Sequence, residues 1–143
     1  MSDPYDLQRF LDAQRRFYLT VLAELRSGAK RSHWMWFMFP QAEGLGYSVT
    51  AQRYAIRSRA EAEAYSRHEL LGAALNECTR LVLAIKHKSA RQIFGTPDDL
   101  KFSSSMTLFD AVGADDLFGE ALARYYEGRR DERTLRIMNR WSH

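Results

Sequence analysis

Leu7, Phe10, Leu11, Gln14, Phe17, Tyr18, Val21, Leu22 and Leu25 recur at steps of three and four residues, so a chain carrying them must bury one long helical stripe. The spacing predicts a helix of about seven turns. Asp3 and Pro4 are placed to open it as N-cap and first helical residue, and Gly28 to close it. Ser58 and Glu61 form a capping-box pattern opening a second helix that breaks near His68. A third follows on Leu71, Ala74, Leu75, Cys78, Leu81, Val82 and Ile85. Thr96-Pro97-Asp98-Asp99 reads as another start, with the proline at the first helical position. The serines 103–105 then lead into Met106, Leu108 and Phe109, stopping near Gly113. Leu117 to Tyr125 make a further helix closed by Gly128, and Asp131 caps a last one bearing Leu135, Met138 and Trp141. Residues 29–56 show no helical period. The expected fold is mainly α: residues 1–143 as a single compact domain of six or seven helices, with a long irregular segment around residues 29–56. There is no internal repeat and no interdomain linker.

A chain of 143 residues can bury a core without disulfides or metal. Its one cysteine, Cys78, forms no intrachain disulfide and excludes cysteine zinc sites, which suits a reducing compartment. The four histidines show no ligand spacing, so neither a metal nor a cofactor is implied. The first residues lack the basic-then-apolar order of a signal peptide, and the longest apolar run, residues 34–40, is too short for a bilayer. A cytoplasmic protein with no membrane partner, monomer or homodimer, is expected. The net charge is +3, but its basic residues are dispersed as Arg15-Arg16, Lys30-Arg31, Lys86-His87-Lys88 and Arg129-Arg130. Each pair is expected beside acids or at a helix end, which argues against nucleic acid as partner.

Residues 33–48, HWMWFMFPQAEGLGYS, carry the densest chemical signal. A run of six large apolar residues usually makes a buried strand or helical turn. Two tryptophans within it need indole partners, and flat rings also stack on nucleobase-like ligands, so a pocket wall is the competing reading. The Gly44-Leu45-Gly46 loop matches no phosphate fingerprint.

Several polar residues stand where apolar ones are expected. Gln14, inside the first stripe, either bonds the irregular backbone or reads a ligand beside Tyr18. Glu24, Lys30 and His33 lie close together in sequence, and could supply base, nucleophile and proton relay. Alternatively Lys30 neutralises the helix C-terminus and Glu24 is solvated. Lys101 with Ser104 and Ser105 could seat an anion at a helix start, or the serines could simply be caps.

The motifs AQxxFY (13–18), GxKxxHWMWFxFPQ (28–41), GLGxS (44–48), YAI (54–56) and SSMTLF (104–109) together resemble the bacterial and fungal domain of unknown function 1810 family, over nearly the whole length. The resemblance implies a mainly helical, single-domain protein. Ala13-Gln14-Arg15 is also similar, more remotely, to the AQK of the YbiA-like group, which includes NADAR domains tied to NAD and ADP-ribose metabolism. That group cleaves N-glycosidic bonds. It carries a glutamate about one and a half turns earlier, where this chain has Gln8 and Arg9, so no catalytic residue transfers directly.

These readings converge on a pocket protein or N-glycosidase-like hydrolase for an ADP-ribose-, nucleotide- or ribosyl-type small molecule. Trp34, Trp36 and Phe39 would line the pocket, with Gln14, Tyr18, His33 and Gln41 reading polar groups and Lys101, Ser104 and Ser105 holding a phosphate. Glu24 or Asp110 would supply the carboxylate that oxocarbenium stabilisation needs. The alternative is a non-catalytic interaction module with a buried aromatic core and an exposed patch at Tyr125-Tyr126 or Trp141.

Overall fold

The first stripe winds into α1 (Gln8–Ser27) in the computed structural model, which describes residues 2–141. The helix starts later than Pro4. The Asp3 carboxylate accepts from the amides of Leu7 (2.9 Å) and Gln8 (3.0 Å), so the intervening residues form a turn, with Asp6 at φ 50°. Gly28 ends the helix at φ 84°, a conformation that favours glycine.

Eight more helices follow among the described residues: α2 (Met35–Met38), α3 (Val49–Arg53), α4 (Arg59–Arg67), α5 (Glu69–Ala84), α6 (Ala90–Phe94), α7 (Asp98–Ala111), α8 (Asp116–Tyr126) and α9 (Glu132–Trp141). The short α2 and α3 punctuate the segment expected to be irregular. Their few residues are too short for a periodic signal to show in sequence. The third short helix, α6, is capped by Ser89 and Gln92, which exchange side-chain and backbone hydrogen bonds. Helix α4 keeps its Ser58 cap on the Glu61 amide, but the Glu61 carboxylate turns instead to the Arg57 amide and to Arg9. Pro97 sits just ahead of α7 rather than inside it.

Helices α5 and α7 form the middle of the molecule. Helix α5 packs on α1, α4 and α8, and α7 on α6, α8 and α9. All six residues from Ser104 to Phe109 are buried, so α7 has no solvated face there. Its serines and threonine are small enough for neighbouring helices to approach. Where α4 meets α5 the approach is tighter still: a Cβ at Gly72 would stand 2.2 Å from the Ser66 carbonyl oxygen.

The aromatic run plugs this core. Trp34, Met38 and Phe39 are fully buried, and Phe39 meets Phe102 edge-on at 5.0 Å between ring centres. Its backbone is held in turn by Gln14, whose amide Nε2 donates to the Phe37 carbonyl (2.8 Å) and to the Tyr65 hydroxyl (2.9 Å). A Gln14→Leu variant leaves both acceptors buried without that donor, and is expected to lose about 1–3 kcal/mol in urea unfolding. An unchanged unfolding midpoint would show that these bonds contribute nothing net.

Candidate functional site

The sequence after the aromatic run returns on itself. The Ile56 amide donates to the Gln41 carbonyl (2.8 Å) and the Glu43 amide to the Ile56 carbonyl (2.9 Å), making a single parallel bridge between Ala42 and Ile56. Ile56 is fully buried, so the bridge pins both ends of the intervening loop to the core. Within the loop, Ser48 caps α3 by accepting from the Ala51 amide, and Gln52 Nε2 donates to the Tyr47 carbonyl (2.8 Å). The loop thereby borders a half-open pocket of about 230 Å³, walled by Trp36, Gln41, Tyr54, Gly44 and Gly46. Tyr47, at 80% exposure, stands on its rim.

Trp36 is the one aromatic of the run that the core does not close over. The Lys101 ammonium lies 4.8 Å from its ring centre. Neither the Trp36 indole N–H nor the Gln41 amide donates to another described residue. Glu43 is the carboxylate in the pocket wall, paired at 3.0 Å with Arg57.

The other residues singled out in sequence are placed as follows. The Glu24 carboxylate folds the segment after α1 around itself, accepting from the Arg31 amide (2.7 Å), the Ser32 amide (2.9 Å), the Ser32 hydroxyl and the Trp34 indole N–H (2.9 Å). Burial pushes this carboxyl up, and the donors from Ser32, Arg31 and Trp34 more than offset that, holding it at about 2 against an ordinary 4.5. Lys30 turns to Asp98 (2.7 Å) and over the Trp34 ring (5.1 Å). The α1 C-terminus is capped from elsewhere, by Lys88 Nζ donating to the Gly28 carbonyl (2.9 Å). His33 is exposed and outside the Trp36 pocket wall.

Lys101 shares Asp98 with Lys30, at 3.4 Å. The serines lie inside α7 rather than at a helix start, so their amides belong to the helix ladder. Ser104 reaches Asp131 at 3.0 Å, and Asp131 also caps α9 through the Thr134 amide, which docks α9 on α7. Ser105 is fully buried and its hydroxyl has no hydrogen-bond partner. Gln14 and Tyr18 border a groove between α1 and α5, where Tyr18 bonds Glu77 at 3.0 Å. The structure therefore joins Trp36 to Gln41 and Lys30 to Lys101, and holds Gln14 with Tyr18 and the serines in separate places.

Burial also pushes the Cys78 thiol up to about 12, with Glu77 adding to the rise, so it carries no thiolate at neutral pH. The tyrosine pair expected as an exposed patch is anchored instead. Tyr125 donates to the Val82 carbonyl (2.7 Å) and Tyr126 to the Asp99 carbonyl. No helix among the described residues is long and apolar enough to cross a membrane.

Sequence reasoning missed Glu43, Gln52, Tyr54 and Arg53. The paired glycines at 44 and 46 signalled a loop, but not the bridge that closes it.

A family model described as "Protein of unknown function (DUF1810)" matches residues 4–138. The chain belongs to the DUF1810 family. It is also similar to a solved structure, the crystal structure of the conserved hypothetical protein Rv1873 from Mycobacterium tuberculosis. The two share 52% identity and a TM-score of 0.94, with 96% of this chain and 99% of that one covered. No curated protein matches the chain. The likeness to the YbiA-like and NADAR group is not borne out by these findings. In this DUF1810 protein the family motif HWMWFMFPQ thus divides its labour: Trp34 and Phe39 build core, while Trp36 and Gln41 face the pocket.

Proposed function

We propose that this protein binds a small planar, nucleobase-like ligand in the pocket between Trp36 and Gln41. The observation that carries the reading is that an incompletely buried indole and an unengaged amide wall the same half-open pocket. An aromatic face supplies stacking that tolerates many rings, and an amide offers both donor and acceptor to a ring edge. At about 230 Å³ the pocket is smaller than the roughly 300–1,000 Å³ typical of drug-sized ligands. It therefore suits one ring system, with any sugar or phosphate of a nucleotide lying outside.

Binding rather than hydrolysis is favoured by the employment of Glu24. Its carboxylate is occupied by four donors, and neither it nor Asp110 stands in the pocket wall. An N-glycosidase reading of the same site assigns the carboxylate role to Glu43.

A thermal-shift screen with adenosine, NAD, ADP-ribose and riboflavin precursors tests the proposal, since a ligand of the native state raises the melting temperature. Trp36→Ala is expected to weaken the best ligand roughly tenfold or more in calorimetry, because stacking contributes about 1–3 kcal/mol per base. Failure of every ring compound at millimolar concentration, or equal binding by the variant, overturns the reading.

A further inference from the structure

We infer that a cleft beside the Trp36 pocket, lined by Arg15, Arg16 and Arg53, is a phosphate site, and that the ligand of the two together is a phosphorylated ring compound. The second half rests on the ring-pocket reading above; the first does not.

The cleft lies between α1 and α3, with a volume of about 360 Å³ and Phe17, Phe37 and Tyr54 among its walls. Tyr54 lines both it and the Trp36 pocket, so the two are neighbours across one ring. Arg15 and Arg16 sit in the middle of α1, away from the helix end where a cation would meet the dipole. That departs from the expectation that each basic pair lies beside acids or at a terminus. Arg53 lies over the Tyr54 ring, 5.6 Å from its centre. All three are exposed, and none has a carboxylate within ion-pairing distance among the described residues.

What sets the three apart is that they line one cleft. Arg9, at the base of the same cleft, is paired with Glu61. In the larger cleft by α9, Arg129 pairs with Glu127, Arg130 with Asp110 and Arg136 with Glu132. Three of the four arginines there are paired with acids of the fold, and the fourth, Arg133, donates to the Leu45 carbonyl. In the α1–α3 cleft the one acid is Asp12, whose Oδ1 already accepts from Gln8. Three guanidinium groups lining one cleft against a single carboxylate leave it with an excess of positive charge, which a multiply charged oxyanion would balance. Guanidinium suits phosphate because its planar donors can engage two oxygens at once. Exposure means that salt will weaken the attraction.

The test is calorimetry at low ionic strength on the full chain with tripolyphosphate, adenosine and adenosine diphosphate. Tripolyphosphate is expected to bind the wild type and to bind an Arg15→Gln, Arg16→Gln, Arg53→Gln variant at least tenfold more weakly. These side chains are exposed, and an unchanged melting temperature confirms that the variant is folded. Trp36→Ala should leave tripolyphosphate binding within about twofold while weakening adenosine, and adenosine diphosphate should bind more tightly than either half. No tripolyphosphate binding, or equal binding by the triple variant, overturns the phosphate site even if adenosine binds. Tripolyphosphate binding without adenosine binding supports the phosphate site and removes the ring pocket. Single-stranded RNA binding far more tightly than adenosine diphosphate, and lost in the triple variant, overturns the small-ligand assignment.

Discussion

Replacing Glu61 with alanine is expected to destabilise the protein by about 3–5 kcal/mol, the range for removing one member of a buried ion pair. The Arg9 and Glu61 side chains are 8% and 5% exposed, 2.7 Å apart. Arg9 also donates to four backbone carbonyls: Tyr5 (2.6 Å), Asp6 (2.7 Å), Arg53 (2.8 Å) and Ala55 (2.9 Å). One guanidinium thus ties the turn before α1 to the segment joining α3 and α4. Without Glu61 the cation stays buried with carbonyl dipoles alone. For a chain of this size the melting temperature should fall by roughly 10 °C. A double variant, Arg9→Met with Glu61→Leu, should recover part of the loss, because it removes the uncompensated charge. A midpoint for Glu61→Ala within a degree or two of wild type would rule out the pair as a structural tie. Because Arg53 and Ala55 flank Tyr54, the single variant should also loosen the two clefts that Tyr54 lines.

The second large effect belongs to Glu24. Glu24→Gln substitutes an NH2 for one acceptor oxygen of a group whose four neighbours are all donors. The Ser32 hydroxyl can turn to accept from that NH2, while the Arg31, Ser32 and Trp34 N–H groups keep an oxygen that no longer carries charge. The expected loss is about 1–3 kcal/mol at neutral pH, because three N–H donors then meet a neutral acceptor in place of a charged one. The pH dependence identifies the cause. The folded carboxyl titrates at about 2, below its ordinary 4.5, so the folded state holds the ionised form more tightly than the unfolded one. Stability from this group is therefore complete above pH 4.5 and is lost as pH falls through about 2. Melting curves between pH 2 and 6 should show that acid limb in wild type and a shallower one in Glu24→Gln. Parallel limbs would assign acid sensitivity to other carboxyls.

Both residues show how far one chain of letters could be read. Helices α1, α4, α5, α8 and α9 announce themselves because apolar residues three and four apart must share a face, and Gly28, Ser58 and Asp131 mark ends through local bonds. The short α2 and α3 do not, since four or five residues leave no period to detect. Helix α6, equally short, carries a local mark in the capping box of Ser89 and Gln92. Trp36 and Gln41 were singled out by type, yet nothing local separates Trp36 from Trp34, one buried and one facing the pocket. Arg15 and Arg16 looked like one dispersed pair among several. Arg53, 37 positions or more along the chain, gives them their meaning.

The amino-acid sequence alone determined the family, the helical class and most helix ends, because these depend on neighbours within a few turns. The tertiary structure alone decided which polar groups hold the fold and which remain available to a ligand. Glu24, Gln14 and Ser104 are engaged by partners from other segments, while Gln41 and three arginines are left open. A side chain's availability is set by what the folded chain brings within about 3 Å of it, the reach of a hydrogen bond, and that distance has no counterpart in residue order.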